Sequence, residues 1–185
     1  MIINKIYLDY EVLSQIGRAF KNSNPRMIKL DNLLDLKFYN ELREKLNFLS
    51  FEKTKIPDKY SFSEFKINNE IDIEELGDFI NKITEKKNKI KIKLRKYSWK
   101  DYKLIHDSEN FSGIKFCIFI LSEESWDSNN GGSFVFRSKE DYVFSPFSNS
   151  FFIIEKKKDM QDFVQYVNNK AGNKCFYVIE GTVFS

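Results

Sequence analysis

Histidine is almost missing from this sequence, with one copy, His106, in 185 residues. That excludes any metal centre needing two imidazoles from one chain, and it leaves a single candidate for imidazole acid–base chemistry. Cysteine is nearly as scarce. Cys117 and Cys175 each sit alone in an apolar run, so they supply no closely spaced thiolate pair for zinc and read as free core thiols. Three prolines and seven glycines are too few for a linker or low-complexity chain. No apolar stretch is long enough to span a bilayer, and Asp9 and Glu11 interrupt the first apolar run before a signal-peptide core can form. A reducing, cytoplasmic setting is the expectation, with no membrane partner. An excess of one charge is also lacking: 30 basic and 27 acidic residues give +3, too even to call for nucleic acid.

What the chain has in quantity is phenylalanine, 19 copies within a 42% hydrophobic composition, which is enough for a β-rich packed core. A single domain over 1–185 is expected, with 1–96 as helical support and leading strands and 97–185 as the main β-body. In the first part, Val12, Ile16, Ala19 and Phe20 share a helical face in residues 9–21. Residues 27–30 look like a strand. Asp35 reads as an N-cap for a helix carrying Leu36, Tyr39, Leu42 and Leu46. Residues 53–69 are polar, contain Pro57 and lack periodicity, so a loop is expected, one that could cross the mouth of a site. Asp72 with Glu75 resembles a capping box ahead of Ile73, Leu76, Ile80 and Ile83.

Residues 89–96 alternate strictly, with Lys89, Lys91, Lys93 and Arg95 on one face and Ile90, Ile92 and Leu94 on the other. The basic face is read as a solvated sheet surface that discourages edge pairing. If 102–108 is a strand, Leu104, His106 and Ser108 face one way, and Ile105 and Asp107 the other. Short strands follow: an apolar central one at 114–121, then 133–136, 141–145, 150–155, 162–167 and 174–184. Gly131-Gly132 opens a strand and is a tight turn rather than a phosphate loop, since no Lys-Ser/Thr follows. No serine lies in a nucleophile elbow, and both cysteines read as buried, so hydrolytic triads and Cys-His catalysis are set aside. Two or three helices followed by about eight strands predict an α+β, mainly β fold, a helix-supported jelly roll.

From about Met27 onward the order of features resembles the iron(II)- and 2-oxoglutarate-dependent oxygenases of the prolyl-4-hydroxylase type, which have a double-stranded β-helix. The resemblance rests on residues 97–106 leading into a His-x-Asp position, and on Ile118-Phe119-Ile120-Leu121 followed by Trp126 and Gly131-Gly132-Ser133-Phe134. It rests also on residues 143–155 around Pro146, and on 162–167 followed by Lys174-Cys175-Phe176. It implies Fe(II) and 2-oxoglutarate as cofactors, and hydroxylation of a small-molecule or protein substrate. His106 and Asp162 would be metal ligands and Lys174 the cosubstrate anchor.

The match is incomplete. Ser108 stands where the family has its carboxylate, and Asp162 where it has its distal histidine. One reading keeps a metal on His106 and Asp162, with Asp107 turned inward by a bulge or water in place of Ser108. A second loses the metal, with His106 bonded to Asp162 or Ser108 and Lys174 neutralising a buried carboxylate or an acidic ligand. A third makes the jelly roll an unrelated binding protein. The expectation is an oxygenase-superfamily protein with an incomplete triad, the alternative a non-catalytic module for a small acidic ligand or a partner protein.

Overall fold

A computed structural model describes residues 1–66, 74–85, 89–105 and 111–184. Among them three helices back an eleven-stranded antiparallel sheet. Helix α1 (Tyr10–Asn22) starts at Asp9, whose carboxylate accepts from the amides of Glu11 and Val12; α2 (Leu36–Phe48) starts in the same way at Asp35. Helix α3 is Glu74–Thr84. The expected capping box falls partly outside the described residues, at Asp72. Glu75 instead accepts from the backbone amides of Ile2 and Ile3, tying the N-terminus to α3.

The strands are β1 (Met27–Asp31), β2 (Glu52–Ile56), β3 (Tyr60–Phe65), β4 (Lys89–Tyr97), β5 (Tyr102–Lys103), β6 (Gly113–Leu121), β7 (Phe134–Arg137), β8 (Asp141–Phe144), β9 (Ser150–Lys156), β10 (Gln161–Val164) and β11 (Phe176–Phe184). Their order is β1-β9-β6-β11-β4-β3-β5-β10-β7-β8, with β2 on β3. The sheet curls until its ends face each other: Phe144 on β8 stacks on Phe152 on β9 at 4.1 Å, and Phe134 on β7 meets Phe119 on β6 at 5.4 Å. This is the mainly β, jelly-roll type of architecture expected, with more strands than the expected eight.

Two expectations are corrected. The expected loop at 53–69 contains the β2–β3 hairpin, which turns at Pro57-Asp58-Lys59, where Asp58 takes a positive φ of 60°. Its strand β2 is largely exposed and charged, so it carries no apolar stripe to announce itself. Of the strand expected at 102–108, the described residues 102–105 are strand at Tyr102–Lys103 only, and 106–108 fall outside the described residues. Gly131 and Gly132 do make a turn with φ near +78° and +79°. A Cβ on Gly131 would lie 2.1 Å from the carbonyl oxygen of Tyr166, so the chain there admits only glycine.

Strand alternation sorts side chains into two cores. Ile114, Phe116, Ile118 and Ile120 of β6, with Phe151, Ile153, Tyr177, Ile179 and Leu94, pack against the helices. Cys117, Phe119 and Leu121, with Phe152, Ile154, Phe176, Val178 and Tyr97, point into the curl and meet Phe134, Phe136 and Phe144.

Candidate functional site

The interior face of the curl changes character along its strands. On β11 it runs from Phe176 and Val178 to Glu180 and Thr182; on β4, antiparallel to it, from Tyr97 to Arg95, Lys93 and Lys91; on β6 from Phe119 and Cys117 to Lys115. One end of the interior is therefore a floor of packed rings. The other is a cavity of about 150 Å³ lined, among the described residues, by five cationic side chains (Lys91, Lys93, Arg95, Lys103, Lys115) and two carboxylates (Asp162, Glu180) between aromatic walls. The face that alternation marked as a solvated basic surface is thus exposed at Lys89 and Lys91 and turns inward at Lys93 and Arg95. Strand β4 lies in mid-sheet between β11 and β3, not at an edge, and Arg95 is buried.

Asp162 sits at the centre of this end. It projects from β10, and Lys103 on the neighbouring β5 donates to its Oδ2 at 2.7 Å. From the opposite wall Lys115 on β6 donates to the same oxygen at 3.1 Å, and the Lys156 ammonium on β9 lies 3.5 Å from Oδ1. Burial alone would raise the Asp162 carboxyl, but the charges and hydrogen bonds of Lys103 and Lys115 outweigh it and hold the group well below the usual carboxylate range. Lys156, almost wholly buried, is pushed below the usual lysine value by burial, with Asp162 opposing and Lys115 and Lys103 adding repulsion. Its ammonium also donates to the carbonyl of Phe111 at 3.1 Å.

A second ionic group closes the floor side. Arg95 donates to Glu64 at 3.1 Å and to Glu180 at 2.7 Å, and Glu180 also accepts from the Tyr97 hydroxyl at 3.2 Å. The guanidinium lies 4.1 Å from the Phe62 ring centroid. Burial would lower its pKa, yet the two carboxylates raise it, so the fork is fixed as a cation, with Nε and Nη1 donating to protein. Burial, then Glu180, pushes both the Tyr97 hydroxyl and the Cys117 thiol well up, which makes Cys117 inert rather than nucleophilic.

Of the residues expected to form the site, Asp162 lies in this cavity. His106 and Asp107 fall outside the described residues. Lys174 is not brought to Asp162: it precedes the ring-packed end of β11, with Phe176 and Val178 between it and the ionic end, and it pairs with Glu123 at 3.1 Å on a half-exposed surface. Lys103, Lys115 and Lys156 were missed. The signal was present in Lys115, a cation inside an otherwise apolar central strand, which requires a buried counter-charge.

No known sequence family matches the chain, and no curated protein matches it. Solved structures do. A prolyl hydroxylase from Trichoplax adhaerens, in complex with a hypoxia-inducible-factor oxygen degradation domain peptide, superposes with a TM-score of 0.70 at 10% identity, covering 97% of this chain and 92% of that one. The fold is that of the prolyl-4-hydroxylase-like oxygenases. A Pseudomonas putida prolyl-4-hydroxylase gives 0.68 at 10% identity over 94% and 99% of the two chains. A 2-oxoglutarate–Fe(II) oxygenase family oxidoreductase from Burkholderia pseudomallei gives 0.58 at 10% identity over 92% and 89%.

Oxygenases of this fold depend on Fe(II) and 2-oxoglutarate, so the fit of an iron ion can be tested on the residues present. It is poor. Among the described residues no three His, Cys, Asp or Glu side chains gather as a ligand set. Asp162, the one expected ligand that is described, already faces three ammonium groups. A divalent cation there would meet their repulsion and would have to displace Lys103 and Lys115 from the oxygen they share. Nor is any helix among the described residues long and apolar enough to cross a membrane.

Proposed function

We propose that this chain is an oxygenase-fold protein that binds a small acidic ligand in the β-cavity without the iron chemistry of its structural neighbours. The observation that carries this reading is a surplus of three positive charges among the described residues that line the cavity, left after Asp162 and Glu180 are counted against five cations. Both carboxylates are engaged by protein, so the residual field is cationic and focused by low-dielectric aromatic walls. At about 150 Å³ the cavity is smaller than the roughly 300–1,000 Å³ of drug-sized pockets, which favours a compact ligand. The single histidine supports the same conclusion, because a site with two imidazoles and a carboxylate cannot be assembled from this chain.

The test is calorimetric titration of metal-free protein with inorganic phosphate, succinate and citrate at low ionic strength, beside an assay for succinate formation from 2-oxoglutarate with Fe(II) and oxygen. The expected result is saturable anion binding, weakened by Lys93→Gln, and no succinate. Iron-dependent succinate formation would overturn the reading.

A further inference from the structure

Which acidic ligand the cavity takes can be read from how its donors are arranged. This step rests on the reading above. Strand register places Thr182 on β11 directly between Lys91 on β4 and Lys115 on β6, and all three line the cavity. Facing residues on adjacent strands have Cβ atoms roughly 4.5–5.5 Å apart, so this rung roots two lysines and a threonine side by side on the cavity face. Lys93, one rung deeper on the same face, adds a third ammonium. Lys91 is exposed and Lys93 half-buried, and neither has an ion-pair partner among the described residues. Lys115 is shared with Asp162.

The chemistry of these donors discriminates between anions. A planar carboxylate is held best by the parallel donors of a guanidinium, and the one guanidinium in the cavity, Arg95, is occupied by Glu64 and Glu180. What remains is a set of point donors converging from separate strands. That set suits an anion whose oxygens spread in three dimensions and whose charge approaches −2, as a phosphoryl group's does near neutral pH. We infer that the Lys91–Thr182–Lys115 rung, with Lys93, is a phosphoryl-binding site, the ligand being a compact phosphate monoester or inorganic phosphate, with Phe111 and Phe184 beside it for any apolar part.

The decisive experiment is calorimetric titration with inorganic phosphate, phenyl phosphate, dimethyl phosphate and succinate, followed by phosphorus NMR on the two monoester-type ligands. Phosphate and phenyl phosphate should bind at least tenfold more tightly than succinate, and dimethyl phosphate, a singly charged diester, more weakly than both. Phenyl phosphate binding more tightly than phosphate would assign the monoester; equal affinities would assign the inorganic ion. Lys91→Gln and Lys93→Gln should each weaken phosphate about tenfold, the size expected for one charge-assisted hydrogen bond. Thr182→Val should weaken it several-fold and Thr182→Ser restore it, a rescue that general loss of charge would not produce. Should either lysine variant unfold, the Thr182 pair still decides the matter. Succinate binding more tightly than phosphate would overturn the phosphoryl assignment while leaving the acidic-ligand reading intact, as would phosphate binding that ignores all these substitutions. If no anion binds, both fall.

Discussion

The two ends of the curled sheet's interior are built by the same strands and the same alternation, yet one is a stack of rings and the other a group of charges. At the ring end Phe176 touches Tyr97 at 5.3 Å, Phe119 at 6.1 Å and Trp126 at 4.9 Å, and is fully buried. At the ionic end Asp162 is held from both walls by ammonium groups. Non-directional packing closes the first. The second is closed by ion pairs that bridge β5 and β10 on one wall to β6 and β9 on the other, and such pairs hold only while the shared Asp162 carboxylate stays ionised. The ring end should therefore supply stability under all conditions, and the ionic end a conditional clasp with spare cations for a ligand.

The largest effects should come from cutting each end at its centre. Phe176→Ala should cost about 3–5 kcal/mol in urea-unfolding measurements, as large-to-small changes in packed cores do. Asp162→Ala should cost a similar amount, about 3–5 kcal/mol, because it strands three ammoniums without their shared counter-charge. The pH dependence separates the two. The folded-state pKa of Asp162 is depressed, so its contribution is full above the unfolded carboxyl value of about 4 and is lost as pH falls from there toward the folded value. Near pH 3 the cost of Asp162→Ala should shrink while that of Phe176→Ala stays constant. Equal pH profiles would refute the division of labour.

A smaller effect is expected at Lys156. Its folded-state pKa is lowered, so the unfolded chain binds more protons over the interval between the two values, and the wild type should gain stability as pH rises through that interval toward the ordinary lysine value. Lys156→Met removes the buried ammonium while Lys103 and Lys115 still hold Asp162. Its stability near neutrality should stay within about 1 kcal/mol of wild type, since burying that charge already offsets most of what the pair returns. The alkaline gain should disappear. A loss comparable to that of Asp162→Ala would show that Lys156 is the indispensable counter-ion.

How much of this was legible in the sequence follows from what alternation can and cannot say. Helix α1 was legible from the shared face of Val12, Ile16, Ala19 and Phe20, and Asp35 announced α2 because a capping carboxylate followed by apolar residues at helical spacing has few other uses. The β2–β3 hairpin was invisible because its outer strand is exposed and charged. In β4 the faces were sorted correctly, but period two says only that Lys91, Lys93 and Arg95 point together, not whether they point to solvent or into a wet interior. Spacing against the oxygenase pattern pointed to Asp162, which lines the cavity, and to Lys174, which pairs with Glu123 beyond the other end of β11, since sequence distance does not reveal which end of that strand faces the cavity. The lysines on Asp162 come from three separate strands, a convergence that only the curl of the sheet creates.

The smallest expected change in stability is also the most informative. Lys91 and Lys93 point into the ionic end but hold nothing there among the described residues, so Lys91→Gln and Lys93→Gln should each alter unfolding free energy by no more than about 0.5 kcal/mol. If the ionic end were only a clasp, these substitutions would have no other consequence. If it is also a receptor, they should leave urea midpoints in place while weakening anion binding and flattening its salt dependence, because each removes a charge whose attraction is screened by added ions. Stability and binding would then be carried by overlapping sets of cations in the same cavity: Lys103 and Lys156 holding the walls together, Lys91 and Lys93 facing whatever enters, and Lys115 shared between the two.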